Sequence, residues 1–402
     1  MKKILVIGGG NYQVPLIRRI AENGYEAFCV DRNEQAPGFR FAAGYACIDV
    51  LDRDACLEYA KKNGVSAVMT YGATLPLPTV SYIGEKLGLK ALPARTSELS
   101  KNKYLIKKAL SEAGCNICGA FHAFSSPEEV KGIEIEYPCV IKPCDGSGSK
   151  GVSLVMREEE AEAAFRYAFD SARYGEIYCE AFIPGKEYSV EAFVDRDSIY
   201  IYGIVKTTFL RKGPHNGDIE YGHRTPSGIG EEAEKRIEEE IRKAIRALGV
   251  TMGSVNFDVI LSEKDGKPYI IDCGIRIGQN LLASHLIPLS RGVSIIDNTI
   301  LQALGKNCDA EPKFRKAIAT RLLIAEPGIL SEIKPMDQLI GTGGIVDVVM
   351  RKKVGDTQRV YQDKSDTCGW VLCEGESPDD AEAKAENARR LLLEKYLVIK
   401  KG

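Results

Sequence analysis

The run Val140-Ile-Lys-Pro-Cys-Asp-Gly-Ser-Gly-Ser-Lys-Gly151 sets Lys142 near the end of a short apolar strand, then places three glycines and two serines within six residues. Glycine loses the most backbone entropy on ordering, so such a run builds regular structure badly. It offers instead backbone N–H groups that can wrap an anion, with Ser147, Ser149 and Lys150 adding donors and charge. The chemistry this suits is a polyphosphate held under a flexible flap. Taken alone, the same run serves equally well as a glycine-rich hairpin turn.

Residues of matching chemistry flank this run. Lys103 stands at the start of a helical pattern upstream, and two lysines beside a polyphosphate neutralise its α and β groups as point charges. Downstream, Glu180-Ala-Phe-Ile183 reads as an extended segment whose backbone can pair with a purine edge while its apolar side chains sandwich the ring. Glu187 follows beyond the Pro184-Gly185 turn and suits ribose hydroxyls. Asp258 and Asp272 fall on the two strands of one hairpin, where antiparallel pairing can bring them side by side. Carboxylates so close repel unless a cation stands between them, and magnesium takes one or two carboxylates plus phosphate oxygens. Read singly, each of these is also an ordinary solvated lysine or surface carboxylate. Their order around one glycine run makes the case for a nucleotide site.

The elements that must carry them are legible in outline. An apolar run at 2–7 ends in Gly8-Gly9-Gly10, and further runs at 27–30 and 67–70 alternate with helical stretches at about 12–23 and 53–63. That alternation is the βαβ pattern of a parallel sheet. A dinucleotide site with Asp31 on a ribose does not follow, because Gln13 occupies the third glycine position of the fingerprint. A capped helix is expected at about 103–113, strands at 119–124, 137–142, 152–155 and 177–183, and a helix at 158–172. Strands at 187–194 and 198–206 read as part of a large antiparallel sheet, joined by a helix at 231–248 and the hairpin at 255–272. Pro312 marks a boundary before a small closing unit with a helix at about 379–394.

With 402 residues the chain exceeds one ordinary core. Its 54 basic and 56 acidic residues argue against a broad nucleic-acid footprint. The basic, apolar N-terminus reads as a first strand rather than a signal peptide, and no segment has the length to span a bilayer. A soluble, cytoplasmic protein is expected. Twelve scattered cysteines, with one Cys-x-x-Cys at Cys115 and Cys118, read chiefly as reduced core residues.

The order of these motifs resembles the ATP-grasp superfamily, in the branch similar to carbamoyl-phosphate synthase and the amino-acid (dipeptide) ligases. The resemblance implies a multidomain α/β and α+β fold: a Rossmann-like domain at 1–95, a two-part nucleotide clamp at 96–311 with its flap at about 115–183, and a C-terminal α+β domain at 312–402. It implies ATP with Mg2+ or Mn2+. Phosphate contacts fall on Lys103 and Lys142, and the flap on 145–152, including Ser147, Ser149 and Gly151. The adenine hinge falls on Glu180, Ala181, Phe182 and Ile183, the ribose carboxylate on Glu187, and the metal carboxylates on Asp258 and Asp272. A phosphate-binding arginine matches Arg276, so that Lys142 and Arg276 would carry the catalysis. The family pattern Glu-x-Asn-Pro-Arg reads here Asp272-Cys-Gly-Ile-Arg276, leaving no asparagine at 274. Asn256 or Asn280 are candidates to compensate.

The implied reaction is attack of a carboxylate on the γ-phosphate, then displacement of phosphate from the acyl phosphate by an amine. The alternatives are a carboxylase or formyl-transfer relative and a nucleotide-binding module without turnover. The acid and amine partners are small molecules, with amino acids and a homodimer compatible with the resemblance, and neither nucleic acid nor membrane is implied. For the acid, the stretch 207–230 reads as a lid carrying His215, His223 and Arg224, with His285 lining the acceptor pocket.

Overall fold

The N-terminal apolar run forms β1 (Lys3–Ile7), four of whose five residues are buried. A strand so buried must be covered on both faces, as a parallel sheet with helices on each side provides. The sheet has the order β3-β2-β1-β4, with β2 (Glu26–Asp31), β3 (Gly44–Cys47) and β4 (Ala67–Met69), all parallel. α1 (Val14–Glu22) packs on one face through Leu16, Ile17 and Ile20. α2 (Arg53–Asn63) and α3 (Leu77–Leu87) cover the other through Cys56, Leu57, Val80 and Ile83. The chain's own side chains close the glycine turn. Gln13 is buried and donates to the Tyr71 carbonyl at 2.5 Å, while Asp31 accepts the Gly9 N–H at 2.8 Å.

The structure, a computed structural model, describes residues 1–119, 121–130, 133–146, 150–210, 219–278, 281–361 and 366–400. After α4 (Ala94–Leu99) and α5 (Lys103–Glu112) comes a four-stranded sheet of order β5-β8-β6-β7. It comprises β5 (Phe121–Phe124), β6 (Cys139–Pro143), β7 (Ser153–Val155) and β8 (Ile177–Ala181). α6 (Ala161–Ser171) packs on it through Ala164, Phe165 and Ala168.

The centre is an eight-stranded sheet of order β13-β12-β9-β10-β11-β14-β18-β16. β9 (Gly185–Asp195), β10 (Ser198–Leu210) and β11 (Ile219–Thr225) are followed by α7 (Glu231–Ala247), then β12 (Met252–Ser262) and β13 (Pro268–Gly274). Side chains alternate across a strand, and β9 uses both faces. Tyr188, Val190, Ala192 and Val194 join Val255, Phe257 and Val259 of β12 under α5 and α7. Glu187, Ser189, Glu191 and Phe193 take the opposite face, where Phe193 and Tyr202 meet the core of the N-terminal sheet. α8 (Ile287–Arg291) and α9 (Ile295–Ala303) complete that contact.

β14 (Ala317–Leu323), β18 (Gly369–Gly375) and β16 (Ile345–Met350) extend the same sheet, so the last ninety residues are hydrogen-bonded to the centre through β11. β15 (Gly328–Ile333), β17 (Thr357–Gln358) and β19 (Leu397–Lys400) form a separate small sheet. α10 (Pro378–Lys395) lies over both through Ala381, Ala385, Ala388 and Leu392. The twelve cysteines form no disulfide, and all but Cys47 and Cys308 are buried. No helix of the described residues is long and apolar enough to cross a membrane.

One expectation is corrected. The described part of 207–230 is not an irregular lid: residues 207–210 end β10, and β11 is an interior strand hydrogen-bonded on both sides. Its sequence Ile-Glu-Tyr-Gly-His-Arg-Thr lacks the apolar alternation of a strand because its polar groups meet partners from other elements.

Phe257 is fully buried in the core between the sheet and α7. Phe257→Ala is expected to lower unfolding stability by about 3–5 kcal/mol, read by chemical denaturation; a loss below 1 kcal/mol would contradict this packing.

Candidate nucleotide and metal site

The polar face of β9, β12 and β13 is where the candidate residues collect. Register places Asp258 opposite Asp272 on one side and opposite Ser189 on the other. Ser189 Oγ donates to Asp258 Oδ1 at 2.8 Å. Burial first, and then the Asp272 charge, raise the Asp258 carboxyl above its ordinary range. Asp272 goes the other way: burial opposes ionisation, but Lys103 and Lys142 outweigh it and hold the carboxyl low. Lys103 Nζ pairs directly with Asp272 Oδ2.

Lys103 is aimed there by the start of α5. Asn102 caps that helix, accepting the Leu105 N–H at 3.1 Å, and the Lys103 N–H donates to the Cys144 carbonyl at 2.7 Å. The second bond ties the helix to the strand leading into the glycine run. One turn further along α5, Lys107 is 3 % exposed and meets Glu180, with Cys118 Sγ 3.1 Å from its Nζ. From β6, Lys142 reaches the other oxygen of Glu180 at 2.6 Å, donates to the Ile271 carbonyl at 3.2 Å and lies 5.2 Å from the centre of the Tyr178 ring. Burial, then Lys107, push Lys142 down to about 8. Glu180 therefore joins two buried lysines, a role that no local pattern announced. Lys107 has a faint sequence signal, four residues after Lys103 and so on the same helix face.

β8 ends at Ala181 beside this cluster; Ala181, Phe182 and Ile183 are part-exposed, and the Phe182 N–H is taken by the Pro138 carbonyl at 3.1 Å. Gly151 is buried at φ 79°, where a Cβ would run into Pro143 and Ser171. Ser147, Ser149, His215 and Asn280 lie outside the described residues.

Glu187, half-buried, is pushed up to about 8 by burial, then by Asp258 and Glu220. Glu220, which the sequence reading missed, stands on β11 with its Oε1 3.1 Å from His223 Nε2. His223 is buried near this carboxylate group. Arg224 is not brought there: its guanidinium pairs with Asp379 and, at 2.8 Å, with Glu382 of α10. His285 is also set apart, with Nδ1 2.8 Å from Ser284 Oγ and Nε2 3.7 Å from Asp347. Burial lowers its pKa, against the Asp347 charge.

Asn256 sits opposite Gly274, one rung from the aspartates. With no side chain at 274, Arg276 folds over that position, its Cζ 3.2 Å from where a Cβ would be. Arg276 Nη1 donates to the Ile277 carbonyl at 3.2 Å. Asn256 donates instead to Glu191, a buried carboxylate that the sequence reading also missed.

The donor set suits a divalent cation. Glu187, Glu220, Asp258 and Asp272 bring negative charge together, and burial with this mutual repulsion raises the Glu187 and Asp258 carboxyls. Among the described residues no group of three or more His, Cys, Asp or Glu forms a closed metal cage. Two carboxylates that need further oxygens match magnesium, which is held together with phosphate.

Known proteins share parts of this sequence and its fold. Residues 100–279 match the model of the ATP-grasp domain, and the fold and site define a chain that carries one. Beyond it, residues 321–393 match the L-amino acid ligase C-terminal domain 2. The chain is 23 % identical to a formate-dependent phosphoribosylglycinamide formyltransferase of Sulfurisphaera tokodaii, over 98 % of this chain and 97 % of that protein. Among solved structures, the fold is similar to that of an L-amino acid ligase from Bacillus licheniformis, with TM-score 0.83 and 23 % identity over 100 % and 99 % of the two chains. It is also similar to a 2-oxoglutarate carboxylase biotin carboxylase domain from Hydrogenobacter thermophilus, solved with magnesium ADP and bicarbonate, with TM-score 0.76 and 20 % identity over 99 % and 91 %.

A carboxyl whose pKa is raised by folding contributes stability below its unfolded value and loses it as pH rises through the folded value. For Glu187 that window runs from about 4.5 to about 8. The melting temperature is therefore expected to fall as pH rises from 5 to 8, and to fall less in Glu187→Gln; equal slopes in the two proteins would contradict the assignment.

Proposed function

We propose that the chain is an ATP-dependent carboxylate–amine ligase acting on small molecules, with amino acids as the expected class. The observation that carries this is the pair of facing aspartates flanked by Lys103, Lys142 and Arg276 on one sheet face. We also propose the division into 1–95, 96–311 and 312–402.

Lys103 and Lys142 balance the charge of the nucleotide phosphates, Glu187 takes the ribose hydroxyls, and 180–183 line the base. Asp258 and Asp272 would hold Mg2+ or Mn2+, which would neutralise phosphate charge there. A carboxylate oxygen of the acid attacks the γ-phosphorus, the bond to the bridging oxygen breaks, and ADP leaves with the electron pair. Arg276 steadies the transferred phosphoryl group. The amine nitrogen then attacks the carbonyl carbon, phosphate leaves, and the amine gives up a proton. The protein positions reactants and neutralises charge, with no covalent nucleophile of its own.

Incubation with ATP, Mg2+ and pooled amino acids is expected to release ADP and phosphate; release of AMP and pyrophosphate would refute the acyl-phosphate route. Bicarbonate or formate as the only productive acid would move the reading to a carboxylase or formyl-transfer enzyme, and ADP binding without turnover to a binding module. Lys142→Ala is expected to weaken ATP binding by about 10–100-fold, with a lower melting temperature because Glu180 loses one of its two buried partners. Asp272→Asn is expected to lower kcat by about 100-fold with a much smaller change in ADP affinity. Full activity in that variant would remove Asp272 from the metal role.

A further inference from the structure

Glu191 lies on β9 in the interior of the central sheet, with Gly203 of β10 opposite it on one side and Asn256 of β12 on the other. It is fully buried. One oxygen is committed, since Oε1 accepts from Asn256 Nδ2 at 2.7 Å. The other, Oε2, is buried and has no hydrogen-bond partner. A buried polar group left unpaired costs free energy, and a carboxylate far more, so a fold retains one where something else completes it.

The surroundings indicate what completes it. Gly278, four residues beyond β13, lies so close that a Cβ there would collide with the carboxylate, and its backbone is a hydrogen-bonding neighbour of Glu191. Arg276, whose charge reaches Glu191, is folded over Gly274 and donates to the Ile277 carbonyl. Tyr71, from the connection after β4, is buried close enough to feel the charges of both Glu191 and Arg276. Glu191 shares its face of β9 with Ser189, two residues along, or roughly 7 Å, and Ser189 bonds Asp258. The partner that Oε2 lacks is therefore a small hydrogen-bond donor, best a positive one.

We propose that Glu191 Oε2 binds the ammonium group of the amine substrate. The inference rests on the ligase reading for the identity of that amine, and on this geometry alone for the binding of an ammonium. The binding holds the nitrogen near Arg276 and the aspartate pair, where the acyl phosphate is made; one ammonium proton passes to Glu191 to free the lone pair for attack, and the second is lost as the amide forms and phosphate leaves.

The test compares methylammonium chloride with tetramethylammonium chloride at equal concentration, by thermal shift on the full chain. Methylammonium carries N–H donors and tetramethylammonium none. Wild-type protein is expected to melt higher in methylammonium, and Glu191→Gln is expected to lose the difference. Equal melting in the two salts for wild type overturns the proposal without needing any variant, and so does an undiminished difference in Glu191→Gln. In turnover, Glu191→Gln is expected to raise KM for the amine about tenfold or more. Acid-dependent hydroxamate formation with hydroxylamine, a neutral nucleophile near pH 8, is expected to change less than about threefold. Parallel losses in both reactions refute the ammonium role. Absence of ADP release with every acid defeats the ligase reading instead, and leaves the salt comparison to decide Glu191.

Discussion

The register between β12 and β13 sets Asp258 opposite Asp272, and like charges so placed repel unless something positive stands beside them. Much of the surrounding architecture serves that pair. α5 begins where its first lysine reaches Asp272, and its first N–H is pinned to Cys144 at the end of β6. β9 brings Ser189 to the Asp258 oxygen. The bulge between Asp258 and Val259 shifts the rest of the hairpin while leaving this rung in place.

A second layer of charge lies behind the first. Glu180 is held between Lys107 and Lys142, all three almost wholly buried. Removing one member of such a group leaves an uncompensated buried charge, which is far costlier than exchanging the whole group for apolar residues. The cluster joins α5, β6 and β8, so it fixes the flap sheet to the helix that carries Lys103. The same arrangement keeps Lys142 easier to deprotonate than a surface lysine.

The legible parts of the molecule are those written in local patterns. The parallel sheet follows from short apolar runs separated by amphipathic helices, and the hairpin from two strands around Lys264-Asp-Gly-Lys267. β11 was illegible because its polar residues are satisfied from far away: Tyr221 donates to Glu386 at 2.9 Å, and Arg224 pairs with Glu382, both on α10. A strand stabilised by partners about 160 residues distant carries no periodicity of its own. Lys107 and Glu191 were hidden for a related reason. A lysine within a charged helix start and a glutamate in an apolar strand have ordinary surface readings, and only the tertiary fold reveals that both are buried. Gly274 stands where the resembled pattern has asparagine, but that Arg276 fills the space depends on the backbone path after β13.

The contact between Lys103 and Asp272 has a consequence for the order of events. While the ammonium holds that carboxylate, a bare divalent ion arriving from solvent must displace a covalently tethered competitor already in place. A metal–nucleotide complex faces no such contest, because its phosphates draw the lysine away as the ion takes over the carboxylate. Two-site exchange of this kind couples the affinities of metal and nucleotide reciprocally. Under the proposed function Lys103 would therefore act as a latch, disfavouring free magnesium at Asp272 relative to an ion that arrives bound to the nucleotide.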